Sequence, residues 1–234
     1  MENQNQTVVT QKNLLPVIEL FKKSFDAYWK KIWTLAGITL FSLLGILALL
    51  PSILIILIIN FSQPKNSFPG ITLILVYVLL ILIGAFFCIL IGLWSQTSLY
   101  YAVNEDSAGV KQSLATAWKK IASFFWVSLL VSLAVFGGFI LLIIPGIIFS
   151  VWFTFSVFVF ICEGLKGSSA LKRSKQLVQG HWWPVFGRII VLSIIVLLIS
   201  WIKFFGPIIN MFFVAPFSIV FMYTLYKDLV GAKG

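Results

Sequence analysis

Residues 71–94 read ITLILVYVLLILIGAFFCILIGLW, a run without a single charged side chain. Crossing the hydrocarbon core of a bilayer takes roughly 20 apolar residues in a helix, and a helix satisfies its own backbone polar groups where no water can. The rest of the chain is of the same kind. Of 234 residues, 60% are hydrophobic and only 10% charged, with a mean hydropathy of +1.05. That leaves too few charges to coat a soluble domain. The expected class is an all-α polytopic membrane protein of one domain.

Working outward, apolar runs define six spans. The first covers 32–60 and is too long for a straight crossing, with Pro51 as a kink or an early end. A short loop, 61–70, carries Pro64 and Pro69 before the second span at 71–94. After a polar stretch at 95–123 comes a third span, 124–144, and then Pro145 and Gly146. Pro-Gly is a turn signal, so 124–144 and 147–162 read as a tight helical hairpin, with one long kinked helix as the rival reading. A second polar connection, 163–188, leads to a fifth span at 189–202 and a sixth at 207–226, the last interrupted by Pro207, Asn210 and Pro216. Residues 1–31 and 227–234 are the flanking segments. The first thirty residues lack a short apolar core followed by a small-residue cleavage site, so no removable leader is expected.

Orientation follows from the bases, which stay on the cytoplasmic side of short loops. With six spans, all of the 17 basic residues except Lys65 and Lys203 fall on one face, together with both ends of the chain. An odd number of spans would scatter them. Eight tryptophans, Trp29, Trp33, Trp94, Trp118, Trp126, Trp182, Trp183 and Trp201, sit near span ends, where indole favours the interface; Trp152 does not. The expected location is a bacterial plasma membrane with both termini cytoplasmic.

The basic segments resemble one another. Lys22, Lys23 and Ser24 precede Trp33 by the same steps that separate Lys172, Arg173 and Ser174 from Trp183. Between them Trp118, Lys119 and Lys120 lead into Phe124, Phe125 and Trp126, a weaker copy with its basic pair displaced toward the span. Each copy reads as a basic amphipathic helix followed by a hairpin, so three copies make six spans. In the first, Leu14, Ile18, Phe21, Phe25, Trp29 and Ile32 form one stripe, Glu19, Lys22, Lys23, Asp26 and Lys30 the other, and Pro16 falls in the first turn. Such a helix is expected to lie in the headgroup layer with its lysines toward anionic lipid. The ordinary account is that these bases only set topology and snorkel. The functional account makes Lys22, Lys23, Trp33, Lys119, Lys120, Lys172, Arg173, Lys175, Trp182 and Trp183 a surface for anionic lipid, a membrane-protein partner or a second copy.

The order Pro145-Gly146-Ile147, a span, Glu163-Gly164, Ala170-Leu171-Lys172-Arg173-Ser174, then Leu177, Gly180, Trp183 and Gly187 resembles the membrane-domain family named after glycerophosphoryl diester phosphodiesterases and related bacterial inner-membrane proteins. The resemblance implies a multi-pass membrane domain. It does not imply hydrolysis, because in the proteins that gave the name the hydrolase is a separate soluble barrel, and no soluble stretch here is long enough to form one.

Chemistry is sparse. Metal-assisted hydrolysis needs carboxylates or histidines converging on a cation. Glu2, Glu19, Asp26, Glu105, Asp106, Glu163, Asp228 and His181 are spread through loops and ends, and adjacent Glu105 and Asp106 would not share a helical face. No nucleophile elbow or phosphate loop is present. Cys88 and Cys162 lie in apolar runs. No enzyme activity, metal or cofactor is expected. The net charge of +10 is interfacial, so no nucleic-acid partner is expected either. Span cores without ionisable groups disfavour a proton-coupled carrier. The broken sixth span keeps a permease or transporter subunit for a small or lipidic solute as the alternative. Gly84, Cys88 and Gly92, four residues apart, make a small-residue face for helix packing.

Overall fold

A computed structural model describes residues 14–62, 70–105, 108–203 and 205–233. Lys12, Lys65, Glu2, Asp106, Pro64 and Pro69 lie outside the described residues. Those described form helices and no strand, and six of the helices are long and apolar enough to cross a membrane. The chain is an all-α polytopic protein.

The helices outrun the apolar stretches that signal them. α1 (Val17–Leu47) is unbroken, so the amphipathic stretch and the start of the first span are one helix. Pro16 stands just ahead of it, its carbonyl accepting the amide of Leu20 at 2.9 Å. At about 1.5 Å per residue α1 is longer than the hydrocarbon is thick, so its first half cannot lie flat in the headgroups while its second half crosses. A turn at Ala48 and Leu49 leads to α2 (Leu50–Ser62), whose first turn holds Pro51, where a missing amide costs no hydrogen bond.

α3 (Ile71–Asn104) and α4 (Val110–Leu141) absorb most of the polar stretch 95–123 as helical extensions. Polar composition signals exposure to water, not loss of helix, and these extensions pack on one another. Beyond α4 the structure corrects the turn. Leu142 alone is extended, at φ −168° and ψ 159°, and α5 (Ile143–Phe153) carries Pro145 and Gly146 in its first turn. Proline needs no amide partner there, and Gly146 serves contact instead of bending. A Cβ on Gly146 would meet the Phe139 ring at 2.5 Å, and one on Gly138 would meet Gly146 Cα at 3.0 Å.

α6 (Ser156–Glu163) continues α5 after a break at Thr154 and Phe155, and ends on Gly164 at φ +72°, a left-handed cap that glycine adopts without strain. α7 (Ser168–Val178) folds back along α5 and α6, and α8 (Trp182–Ser200) follows a turn through Gly180 at φ +90°. The last span is α9 (Gly206–Ile209), a π-helix at Asn210–Val214 and α10 (Ala215–Lys233), so the expected tail is the end of a helix.

Packing is uneven along the helices. One buried cluster, around Leu20, Phe124, Phe155, Leu177, Phe221 and Leu225, joins α1, α4, the α5–α6 break, α7 and α10. A second, around Tyr28, Leu35, Ile38, Leu99, Ala102 and Val220, joins α1, α3 and α10. Both lie toward the basic ends of the helices. The most apolar stretch of α3 is almost wholly exposed, and α5–α6 is the most enclosed of the six spans. Lipid must cover what protein does not.

The small-residue face of α3 divides. A Cβ at Gly84 would meet Ser52 Oγ at 2.8 Å, and one at Gly45 would meet the Cys88 carbonyl at 3.3 Å, so the Gly84–Cys88 stretch packs on α1 and α2. Gly92 instead borders a small cavity.

Candidate functional site

Hydrogen bonds between helix ends assemble the basic end of the molecule. Lys31 Nζ of α1 donates to the carbonyls of Ala102, Val103 and Glu105 at 3.0, 2.8 and 3.1 Å, capping the C-terminus of α3 where acceptors lack intrahelical partners and the dipole favours a cation. Lys233 does the same for α7, donating to the carbonyls of Gln176 and Gln179. Ahead of α1, the amide of Leu15 donates to Asp228 Oδ2 at 2.9 Å while the carbonyl of Leu15 accepts from Arg188 Nη2. Arg188 is buried.

A second network surrounds the α6 terminus. Glu163 accepts from Arg173 Nε at 2.9 Å and from the Tyr226 hydroxyl at 2.8 Å. Asn104 Oδ1 accepts from Cys162 Sγ at 3.1 Å and from Tyr223 at 3.3 Å. Ser174, fully buried, donates to the carbonyl of Trp152 at 2.7 Å and accepts from the amide of Phe155 at 3.2 Å. One hydroxyl therefore satisfies both sides of the α5–α6 break. Glu163, Gly164, Arg173 and Ser174 thus all have identifiable structural parts at this corner.

The bases singled out from sequence separate into two groups. Lys22, Lys119, Lys120 and Lys172 are exposed and make no hydrogen bond or ion pair among the described residues. Lys23 is exposed too and sits 3.6 Å from Glu19 in an i,i+4 pair, a contact of little net worth in water. Arg173 is committed to Glu163, and Lys175 Nζ lies 4.2 Å from the centre of the Trp152 ring. Trp33 and Trp183 are 87% and 75% exposed, whereas half-buried Trp182 stacks on Phe186 at 4.8 Å.

Along α1 the apolar residues occupy two faces. Leu20, Ser24 and Tyr28 are buried, Phe21 packs on Phe221 with ring centres 4.6 Å apart, and Ile18, Phe25, Trp29 and Trp33 point outward. The single stripe read from the sequence is thus split between the protein core and the surroundings.

The middle basic segment shares a register with the first that its displaced basic pair hides. Ser24, Ser113 and Ser174 are all buried. Aligned on the first two, Trp29-Lys30-Lys31-Ile32 coincides with Trp118-Lys119-Lys120-Ile121. The signal was in the sequence, but a small polar residue between charges gives no sign of burial until a neighbour covers it. Trp118 packs on Trp94 at 4.8 Å, and Trp94 Nε1 donates to the Leu114 carbonyl at 2.8 Å, joining α3 to α4.

Several concavities adjoin this end, one of about 510 Å³ lined by Lys23, Asp26, Lys30, Lys31 and Tyr223. A groove of about 470 Å³ runs between α5 and the α7–α8 corner. A cavity of about 210 Å³ is lined by Thr39, Ser42, Gly92, Ser95, Gln96 and the π-helix side of the last span. Among the described residues, no three of His, Cys, Asp and Glu come together. Comparison with protein-family models, curated proteins and solved structures gives no match.

Proposed function

We propose that the chain is a non-enzymatic membrane protein of a bacterial plasma membrane, with both termini cytoplasmic, whose basic, tryptophan-rimmed end holds anionic lipid of the inner leaflet. One observation carries the reading: exposed Lys22, Lys119, Lys120 and Lys172, without partners among the described residues, stand among exposed Trp29, Trp33, Trp118, Trp126 and Trp183. Ammonium groups attract lipid phosphate at about 1 kcal/mol each near an anionic surface, and indole rings settle at the headgroup level. Internal structure uses Lys31, Arg173, Arg188 and Lys233, whereas Lys22, Lys119, Lys120 and Lys172 are left for outside ligands. The resemblance to the glycerophosphodiesterase-named membrane domains supports only the multi-pass part of the reading; the like register of the basic segments, which we take as a repeated unit, supports a shared role for them.

Reconstituted protein with spin-labelled lipids tests it. Phosphatidylglycerol is expected to be motionally restricted more than phosphatidylcholine, and the difference to shrink with salt and in a variant carrying Gln at Lys22, Lys119, Lys120 and Lys172. Equal restriction of the two lipids at low salt removes the reading.

A permease subunit is the second reading, favoured by the cavity beside the π-helix. The amide of Ala215 is given to Asn210, and Pro216 has none, so the carbonyls of Met211 and Phe212 lack their usual donors four residues on. Met211 lines the cavity with Ser42 and Ser95, a set of acceptors suited to a small polar solute.

A further inference from the structure

The groove between α5 and the α7–α8 corner is an apolar trough with a cation, Lys175, held against Trp152 of its lining. Its floor is Ile144, Ile147, Ile148 and Trp152, which at spacings of three and four share one face of α5. Trp182 and Trp183 form the opposite wall, and Gln179 and Gly180 close the end nearest α7. Ile144 is 71% exposed, so the trough opens onto the surface that lipid covers.

At the closed end, Lys175 and Gln179 lie one turn apart on α7, with Lys172 in the turn before. The Lys175 ammonium is held over Trp152, itself part of the floor. The cation thus stands one ring away from the apolar trough, against a residue of its floor, an arrangement that suits an amphiphile with an anionic head and a hydrocarbon tail.

We propose that this groove binds one anionic phospholipid, its acyl chain along Ile144–Trp152 and its phosphate between Lys175 and Gln179. This rests on the lipid-binding reading above and narrows it to one site. Charge complementarity selects the occupant, because an apolar peptide would leave the ammonium unanswered and a soluble anion would leave the trough empty.

The test uses the full chain in nanodiscs containing phosphatidylglycerol or phosphatidylcholine with a photoreactive acyl chain, crosslinked sites being mapped by mass spectrometry. Crosslinks to 144–152 and 179–183 are expected to favour phosphatidylglycerol. In Lys175→Gln that preference should fall about fivefold, the share of one lysine near an anionic surface, while Lys175→Arg keeps it. Ile148→Trp, which fills the trough, should suppress both lipids there. The groove assignment fails if the wild-type peptides label equally with both lipids, or if Lys175→Gln leaves the ratio unchanged. In either case a whole-protein spin-label preference for phosphatidylglycerol would keep the broader reading alive, and its loss would end both.

Discussion

Gly138 and Gly137 are adjacent in α4 yet face different surroundings. A side chain at Gly138 would run into Gly146 Cα at 3.0 Å and the Phe149 ring at 2.9 Å, whereas one at Gly137 would meet nothing within 4 Å. A backbone atom cannot move aside as a flexible side chain can, so Gly138→Val should part α4 from α5. The expected cost is about 1–3 kcal/mol, in the range of overpacked cores. Gly137→Val should stay within about 0.5 kcal/mol of wild type. Thermal unfolding in mild detergent separates them; equal losses would mean that helix propensity, not contact, governs this hairpin. Ser174 shows the converse economy, since one small hydroxyl serves an acceptor and a donor at the α5–α6 break.

Helix ends here are held by side chains from other helices. Apart from α2 and α10, which follow directly on a turn and on the π-helix, none of the described helix starts carries a side-chain cap from its own N-cap residue. The C-termini of α3 and α7 instead take lysines from α1 and α10. Removing such a cation leaves half-buried carbonyls unsatisfied, so Lys31→Met is expected to cost about 1–3 kcal/mol. The loss should appear first as faster amide exchange in residues 99–105. Uniform acceleration across all helices would show that Lys31 supports the whole fold instead of one terminus.

At the scale of the molecule, a packed basic end adjoins an apolar end that protein leaves largely uncovered. The topology proposed from six crossings and the distribution of bases puts Ser169 on the cytoplasmic side and Ser62 on the other. In a background of Cys88→Ala and Cys162→Ala, a membrane-impermeant maleimide should label Ser62→Cys in intact cells and Ser169→Cys only after permeabilisation. Equal labelling of the two would contradict the proposed topology. Both positions are exposed, so access within the protein does not confuse the result.

Residues 71–94 and their five counterparts determine the class by themselves, because transfer of a long uncharged helix to hydrocarbon depends on composition, not on neighbours. Charge asymmetry is equally legible, being a count. Composition could not show where helices stop: most of the polar stretch 95–123 is helical because α3 and α4 cover one another, and the turn expected at Pro145-Gly146 falls at Leu142 because both residues suit a helix's first turn. Nor could it show which bases are committed. Lys31, Arg188 and Lys233 read like any other lysine or arginine until a carbonyl from a distant helix arrives within reach, and that meeting of remote segments is what tertiary structure alone decides.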